Sequence, residues 1–264
     1  MSENGDNYRG RTTDLVSRPE GAGISFVRFA LQPPYDERLV FWERRESETA
    51  ASFRLLRQRL IDRGDPKIVL CTSATRSEGK TKLAANFALS LAELGKHRVL
   101  LLETSVRGAA LGEVFGFKPP VGFARQLATH RDSPGESWVV VQIEGIPLYV
   151  MAAEPRCCPQ CLSVQAEDAS FCGQCGNKTD SEAAPPPIDA VTFANAIAQF
   201  RESFQYIVVD APPVLLSGEV NLIQDTVDAI VFATRKGHSA ASDLRRAIEQ
   251  VAPAPVAAVA LIDD

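Results

Sequence analysis

No run of apolar residues in this 264-residue chain approaches the roughly 18 that a membrane-spanning helix needs. The opening MSENGDNYRGRTTD has no apolar segment of the kind a secretory leader carries. A soluble, cytoplasmic protein is therefore expected, with any membrane role exerted through a partner. A basic excess is also missing: 28 Lys and Arg stand against 33 Asp and Glu, a net charge of −5. Nucleic acid is not an expected partner, because a phosphate backbone selects a cationic surface. Cysteine is scarce outside one short stretch. Five of the six lie between Cys157 and Cys175, and the sixth, Cys71, sits in an apolar run. Such clustering argues for metal rather than disulfides. There is no internal repeat.

What the chain does have is 45% apolar residues, enough for the core of one α/β domain plus a small module. Short apolar runs alternate with helix-periodic segments. Residues 68–71, 98–103, 138–143, 148–151, 206–210, 229–234 and 256–262 read as strands. Residues 46–60, 81–94, 122–129, 188–200 and 239–251 read as helices, and 106–117 as loop and short helix. In the first helix Phe53, Leu56 and Leu60 form the apolar stripe, with Ser47 or Thr49 as N-cap. Leu83, Phe87, Leu91 and Leu94 make the stripe of the second, which Gly95 closes. Continuous apolar strands between helices imply a doubly wound, mostly parallel sheet of P-loop NTPase type. Three parts are expected: a disordered tail over 1–33, in which Ile24–Leu31 could form a strand or docking segment; an α/β domain over 34–154 and 188–264; and an insertion over 155–187 closed by Pro185-Pro186-Pro187.

The stretch KIVLCTSATRSEGKTK, residues 67–82, organises the rest. It reads as a buried strand, a polar loop, and Gly79-Lys80-Thr81 opening a helix. Backbone N–H groups of such a loop and the positive helix end point at an anion. Ser77, Glu78, Gly79, Lys80 and Thr81 are the expected nucleotide-binding residues, Lys80 on the outer phosphates and the Thr81 hydroxyl on Mg²⁺. Ala74 stands where the first glycine of the full pattern belongs, and Arg76 in the loop either adds charge there or points to water.

Asp210 ends the run YIVVD and is followed by Ala211-Pro212-Pro213. That places a carboxylate at the sheet edge where ligands bind in open α/β folds, and it is the expected second Mg²⁺ residue. The alternative is a turn-initiating Asp. Glu103 ends RVLLLE and is read as a base or metal ligand, or as an ordinary strand-exit acid. Arg107 is read as a phosphate or Glu103 partner, or as solvated.

Cys158-Pro-Gln-Cys161 and Cys172-Gly-Gln-Cys175 have the spacing of two zinc knuckles, each presenting two thiolates to one tetrahedral ion. Four thiolates leave no open position, so a structural Zn²⁺ site is expected, with Cys157 able to substitute for Cys158. A protein partner is expected there in preference to nucleic acid, since only Arg156 and Lys178 flank the cysteines.

Together DERLV (36–40), SFRLLRQRL (52–60), SATRSEGKT (73–81), LLLETSVRG (100–108), EVFGF (113–117), PLYVMAAEP (147–155) and YIVVDAPPVL (206–215) resemble the cytoplasmic domain of bacterial tyrosine kinases (BY-kinases) and related chain-length regulators of exopolysaccharide export, in the deviant P-loop ATPase group. The resemblance implies ATP or ADP with Mg²⁺, a catalytic set of Glu103, Asp210 and Arg107, a membrane-embedded polysaccharide co-polymerase or other membrane adaptor as partner, and a place beside the inner membrane. It also marks departures. Glu103 and Ser105 replace two motif aspartates, and Ser77 replaces a loop glycine. Ala51 precedes Arg54 and Arg57 where the family's E-x-x-R-x-x-R oligomerisation helix has glutamate, so a homo-oligomer is expected to be impaired. The family's tyrosine-rich tail and its lack of a zinc insertion are not matched. The expectation is a BY-kinase-like nucleotide-binding protein with weak or absent kinase activity. The rivals are a working kinase or ATPase using Glu103 and Asp210, and a non-enzymatic scaffold docking a protein through its zinc ribbon.

Overall fold

A computed structural model describes residues 12–16, 23–105, 108–155, 158, 160–161, 170–178 and 186–263. Among the described residues nine strands form one sheet: β1 Thr12–Val16, β2 Ile24–Phe29, β3 Ile68–Ser73, β4 Val99–Glu103, β5 Trp138–Ile143, β6 Leu148–Met151, β7 Tyr206–Asp210, β8 Ala229–Arg235 and β9 Val256–Ile262. Their order is β1-β2-β5-β6-β4-β7-β3-β8-β9. Pairing is parallel except between β1 and β2 and between β5 and β6. The disordered-tail expectation for residues 1–33 is corrected at β1, whereas β2 is the strand that Ile24–Leu31 could form. Ile24, Phe26 and Phe29 are buried, and β2 runs parallel to β5 in continuous register. A strand whose apolar face completes a core is more stable paired than solvated. Residues 1–11 and 17–22 lie outside the described residues.

The helices are α1 Val40–Glu43, α2 Glu48–Asp62, α3 Lys80–Ala92, α4 Leu111–Phe115, α5 Phe123–Asp132, α6 Ala190–Ser203, α7 Glu219–Ile223 and α8 Ala241–Gln250. Because side chains alternate along a strand, each central strand feeds two cores. Val69, Cys71, Val99, Leu101 and Val208 pack with α1 to α4. Ile68, Leu70, Leu100, Leu102 and Val209 pack with α5 to α8. Every residue of β3, β4 and β7 is buried, which is why their sequences read as unbroken apolar runs. Of the two N-cap candidates for α2, Ser47 serves, its side chain accepting from Ala50 N. Gly95 follows α3 at φ +68°, a backbone conformation that suits glycine.

Arg54 and Arg57 of α2, with Arg45 from the turn before it, are engaged within the chain. Arg54 donates to Glu93 Oε1 at 2.6 Å, Arg45 reaches the same oxygen at 3.3 Å, and Arg57 lies 3.4 Å from Oε2. Arg57 also donates to the Ser90 carbonyl. Hydrogen bonding by Arg54 is the main reason the Glu93 pKa falls to about 2. A depressed carboxylate pKa contributes stability above the unfolded value of 4.5 and loses it as pH falls toward 2. Glu93→Gln is therefore expected to lower stability by about 1–2 kcal/mol at pH 7, allowing for partial solvent screening. Urea unfolding of both proteins should give a gap that narrows as pH falls below 4.5; a gap independent of pH would refute the assignment.

Candidate nucleotide site and cysteine cluster

The β3–α3 connection is built to leave a polar loop open at the sheet's carboxyl edge. Thr72 and Ser73 end the strand with their hydroxyls turned inward, to the Pro212 and Thr75 carbonyls. Glu78 is buried, and its Oε2 accepts from Thr75 N at 2.6 Å, so this side chain closes the loop from within. Gly79 takes φ +86°, and a Cβ there would lie 2.9 Å from Ile262 Cγ2. Both conformation and space demand glycine at this point. Ser77 also adopts a positive φ, +60°, although its side chain disfavours it. Ser77→Gly is expected to raise stability by about 1 kcal/mol; a thermal midpoint that is unchanged or lower would contradict this.

Three neighbouring strands bring Cys71, Asp210 and Glu103 into one row. Asp210 pairs in register with Glu103 on one side and Cys71 on the other. All three share the sheet face that packs under α3, and all three are fully buried. Lys80 and Thr81, the first residues of α3, stand over this row. Lys80 Nζ lies 3.8 Å from Asp210 Oδ1 and donates to Thr81 Oγ1 at 3.3 Å.

Among the described residues neither Asp210 oxygen finds a hydrogen bond of normal geometry. Burial pushes its pKa up, while Lys80 and the Thr81 hydroxyl oppose the rise. A buried carboxylate left this poorly compensated is costly. It fits a site for a hard divalent cation, with Asp210 and Thr81 as the holding residues.

Glu103 is arranged differently. Its Oε1 accepts from Ala110 N at 2.6 Å and Leu111 N at 3.2 Å, and its Oε2 accepts from Ala153 N at 2.8 Å. The side chain thus joins the end of β4, the start of α4 and the exit from β6. Burial and the charge of Asp210 push its pKa up to about 7, against the pull of the backbone donors and Lys80. Ser105 is buried. Arg107 lies outside the described residues.

A pocket of about 600 Å³ opens above the loop, lined by Ser77, Gly79, Lys80, Thr81 and by residues that the sequence did not single out, among them Arg38, Arg44 and Arg235. Arg235 carries a legible signal, since it ends β8 at the same sheet edge. Arg38 falls within DERLV, which gave it no phosphate role, and Arg44 carries no signal; both arrive from the segment before α2. Arg38 is held by Asp36 at 2.6 Å and Glu113 at 2.8 Å.

Away from this edge, the Sγ atoms of Cys158, Cys161, Cys172 and Cys175 lie within 4.8 Å of one another. Cys158 and Cys175 are 3.6 Å apart, and Cys161 and Cys172 3.5 Å apart. A tetrahedral ion with Zn–S bonds of about 2.3 Å sets its sulfurs about 3.8 Å apart. The knuckle geometry is present as well. Gln160 N approaches Cys158 Sγ at 3.4 Å, and Gln174 N and Cys175 N approach Cys172 Sγ at 3.3 and 3.5 Å. Gly176 makes the return turn at φ +70°. These donors stabilise thiolate charge, so the four residues fit a zinc ion. Cys157 lies outside the described residues.

No family profile matches the chain. It is 21% identical over 209 residues to a tyrosine-protein kinase CpsD of Streptococcus agalactiae, covering 79% of this chain and 80% of that protein. Its fold superposes on the kinase domain of the Escherichia coli tyrosine kinase ETK with a TM-score of 0.64 at 15% identity, over 88% of this chain and 82% of the other. The septum site-determining protein MinD of Pyrococcus horikoshii, complexed with Mg-ADP, superposes with a TM-score of 0.52 at 16% identity, over 74% and 68%. P-loop folds of this kind are thus shared with a nucleotide-bound protein.

Proposed function

We propose that this chain, which belongs to the bacterial tyrosine kinase (BY-kinase) family, binds ATP or ADP with Mg²⁺ on the β3–α3 loop and transfers phosphate slowly or not at all. The observation that carries the reading is the contrast between the two buried acids. Asp210 has both oxygens open beneath Lys80 and Thr81, whereas Glu103 has both oxygens engaged by backbone donors. In this reading Gly79 and the loop amides hold the phosphates, Lys80 reaches the outer ones, and Thr81 and Asp210 hold the cation. When bound, Mg²⁺ neutralises charge on the phosphate oxygens.

A general base must aim a lone pair at the hydroxyl it deprotonates, and backbone donors from Ala110, Leu111 and Ala153 occupy three of the roughly four acceptor positions of the Glu103 carboxylate. Glu103 serves instead as a clasp that positions the start of α4 and the exit of β6, with Arg107 in the chain segment between β4 and α4. Weak chemistry follows from that geometry. The protein then acts as a nucleotide-dependent regulator of exopolysaccharide synthesis or export, in the cytoplasm beside a membrane-embedded adaptor. Among the described residues no helix is long and apolar enough to cross a membrane; in this reading the partner supplies the membrane contact. The engagement of Arg54 and Arg57 by Glu93 supports impaired ring assembly.

A second reading, a working kinase or ATPase, is favoured by the burial of Glu103 beside Asp210, which raises its pKa toward the range of a base at neutral pH. Calorimetric titration of the zinc-loaded protein with ATP and Mg²⁺, followed by assay of the same sample for ADP, separates the two. Binding without ADP supports the regulator, and steady ADP release restores Glu103 as a base. No binding removes both and leaves the cysteine module as a scaffold.

A further inference from the structure

The cysteine module leaves the sheet at the edge that carries the proposed nucleotide site. Strands β6, β4 and β7 are parallel neighbours, so the exit of β6 stands beside the ends bearing Glu103 and Asp210. That exit is the first arm of the insertion, and it is held on two sides. Toward the sheet, the buried Ala153 donates its N–H to Glu103 Oε2 at 2.8 Å. Toward α5, the Ala152 carbonyl accepts from Phe123 N at 3.1 Å, and Glu154 Oε1 accepts from Gly122 N at 3.0 Å. Arg125 grips the same carboxylate through Nε at 3.0 Å and Nη2 at 2.8 Å. A Cβ on Gly122 would lie 2.7 Å from Glu154 N, so the arm runs flat against the start of α5. Three residues separate Glu154 from Cys158, a reach of about 14 Å at full extension. The second arm is slack, with twelve residues between Cys175 and the buried Ile188. The first cysteine is thus leashed to a segment that the Glu103 carboxylate ties to β4.

We infer that the two sites are linked through Glu103: Mg²⁺ with nucleotide at Asp210 strengthens zinc binding by the cysteines, and zinc strengthens nucleotide binding. The linkage rests on the nucleotide reading above and adds its regulation. Glu103 and Asp210 are register-paired and fully buried, with Lys80 Nζ 3.8 Å from Asp210. Carboxylates so placed repel strongly, because a protein interior screens like charges poorly. A divalent cation on Asp210 cancels that repulsion and lets the Glu103 side chain settle on its backbone donors, Ala153 among them. A firmer hold on Ala153 orders the first arm. Zinc then binds cysteines that have less conformational freedom to lose. The reverse direction is a thermodynamic necessity, since each ligand must change the affinity of the other by the same factor. Loss of order on metal removal stays within the module; what reaches the nucleotide site is a change in affinity.

The test uses the full chain and measures both affinities. Zinc affinity is read by competition with a colorimetric chelator, with and without saturating Mg²⁺ and ADP. Affinity for Mg-ADP is read by calorimetry on the zinc-loaded and the zinc-free protein. Expected are a gain of about fivefold or more in each affinity when the other ligand is present, equal in the two directions. Amide exchange over residues 152–154 should slow when Mg-ADP binds. Two variants cut the link at different atoms: Ala153→Pro lacks the N–H that Glu103 accepts, and Glu103→Gln lacks the charge that Asp210 repels. In each, the ratio of Mg-ADP affinities with and without zinc should fall to about one, whatever the affinities themselves become. Mg-ADP binding that is equal in the two zinc states, or weaker with zinc, overturns the linkage while leaving the nucleotide site standing. A ratio that survives in both variants removes Glu103 as the connection and overturns it as well. Absence of Mg-ADP binding in both zinc states refutes the nucleotide reading itself, and the linkage with it.

Discussion

Asp210→Asn is expected to abolish the Mg²⁺-dependent part of nucleotide binding while making the ligand-free protein more stable. Both halves follow from one side chain. The carboxylate is fully buried, without a normal hydrogen bond on either oxygen among the described residues, and the cation beside it, Lys80 Nζ, is 3.8 Å away. Desolvation is incompletely offset, so the pKa is raised. For an acid, a raised folded pKa means that stability declines as pH climbs above the unfolded value of 3.8 and the buried group is forced to ionise. Removing the charge should therefore stabilise the free protein by about 1–3 kcal/mol at pH 7, less at pH 4, as unfolding curves at the two values would report. The same change removes a hard anionic oxygen that a divalent cation prefers. Calorimetry with ATP should then show Mg²⁺ no longer strengthening binding. If the substitution destabilised the free protein, the carboxylate would be satisfied in a way its surroundings do not provide, and the proposed cation site would lose its chief support. Lys80→Ala is the companion variant. It should eliminate measurable affinity with or without Mg²⁺, because it removes the direct phosphate contact along with the positive charge beside Asp210.

Removal of metal from the cysteine module should have an effect as large, confined to a different part of the chain. The described part of the insertion has little apolar burial apart from Cys158 and Cys172, and Phe171 is 63% exposed. Its regular structure amounts to one bridge between Phe171 and Lys178 and the turn that returns through Gly176. So small a segment has no core to offset the cost of ordering its backbone, and binding of zinc to four thiolates supplies on the order of 10–16 kcal/mol at neutral pH in comparable modules. Purified protein should contain one zinc per chain. A strong chelator, or Cys172→Ser, should release it and lose amide protection over residues 171–178, with the main unfolding transition of the sheet retained. Protection that survives complete removal of the metal would show that the segment folds without it.

The sequence disclosed the strands of the sheet's centre almost residue by residue, and for a plain reason. β3, β4 and β7 are buried on both faces, so apart from the terminal Glu103 and Asp210 every position is apolar or small and the runs are continuous. β2 was harder to read. It lies near the sheet margin, and its pattern of buried and exposed residues is short and set in a polar, glycine-containing stretch. Its full-length partner is β5, more than a hundred residues away, with β1 on its other edge. The two knuckles were legible because thiolate spacing is itself the geometry of the ion.

The site was legible in part. Gly79-Lys80-Thr81 and the acid ending YIVVD point to the proposed phosphate loop and cation residue from sequence, since both motifs are local: each is a strand end and the turn behind it. Sequence alone also recorded that glutamate stands at 103 and serine at 77. What it could not determine was what those residues touch. That Glu103 is tied to Ala110, Leu111 and Ala153, that Asp210 is left open beside it, and that Arg54 and Arg57 converge on Glu93 depend on contacts between segments distant along the chain. Residue identity and short-range spacing decide which chemistry a chain can offer. Which oxygen remains free to perform it is decided only when the sheet brings the ends of β4 and β7 side by side and buries them together.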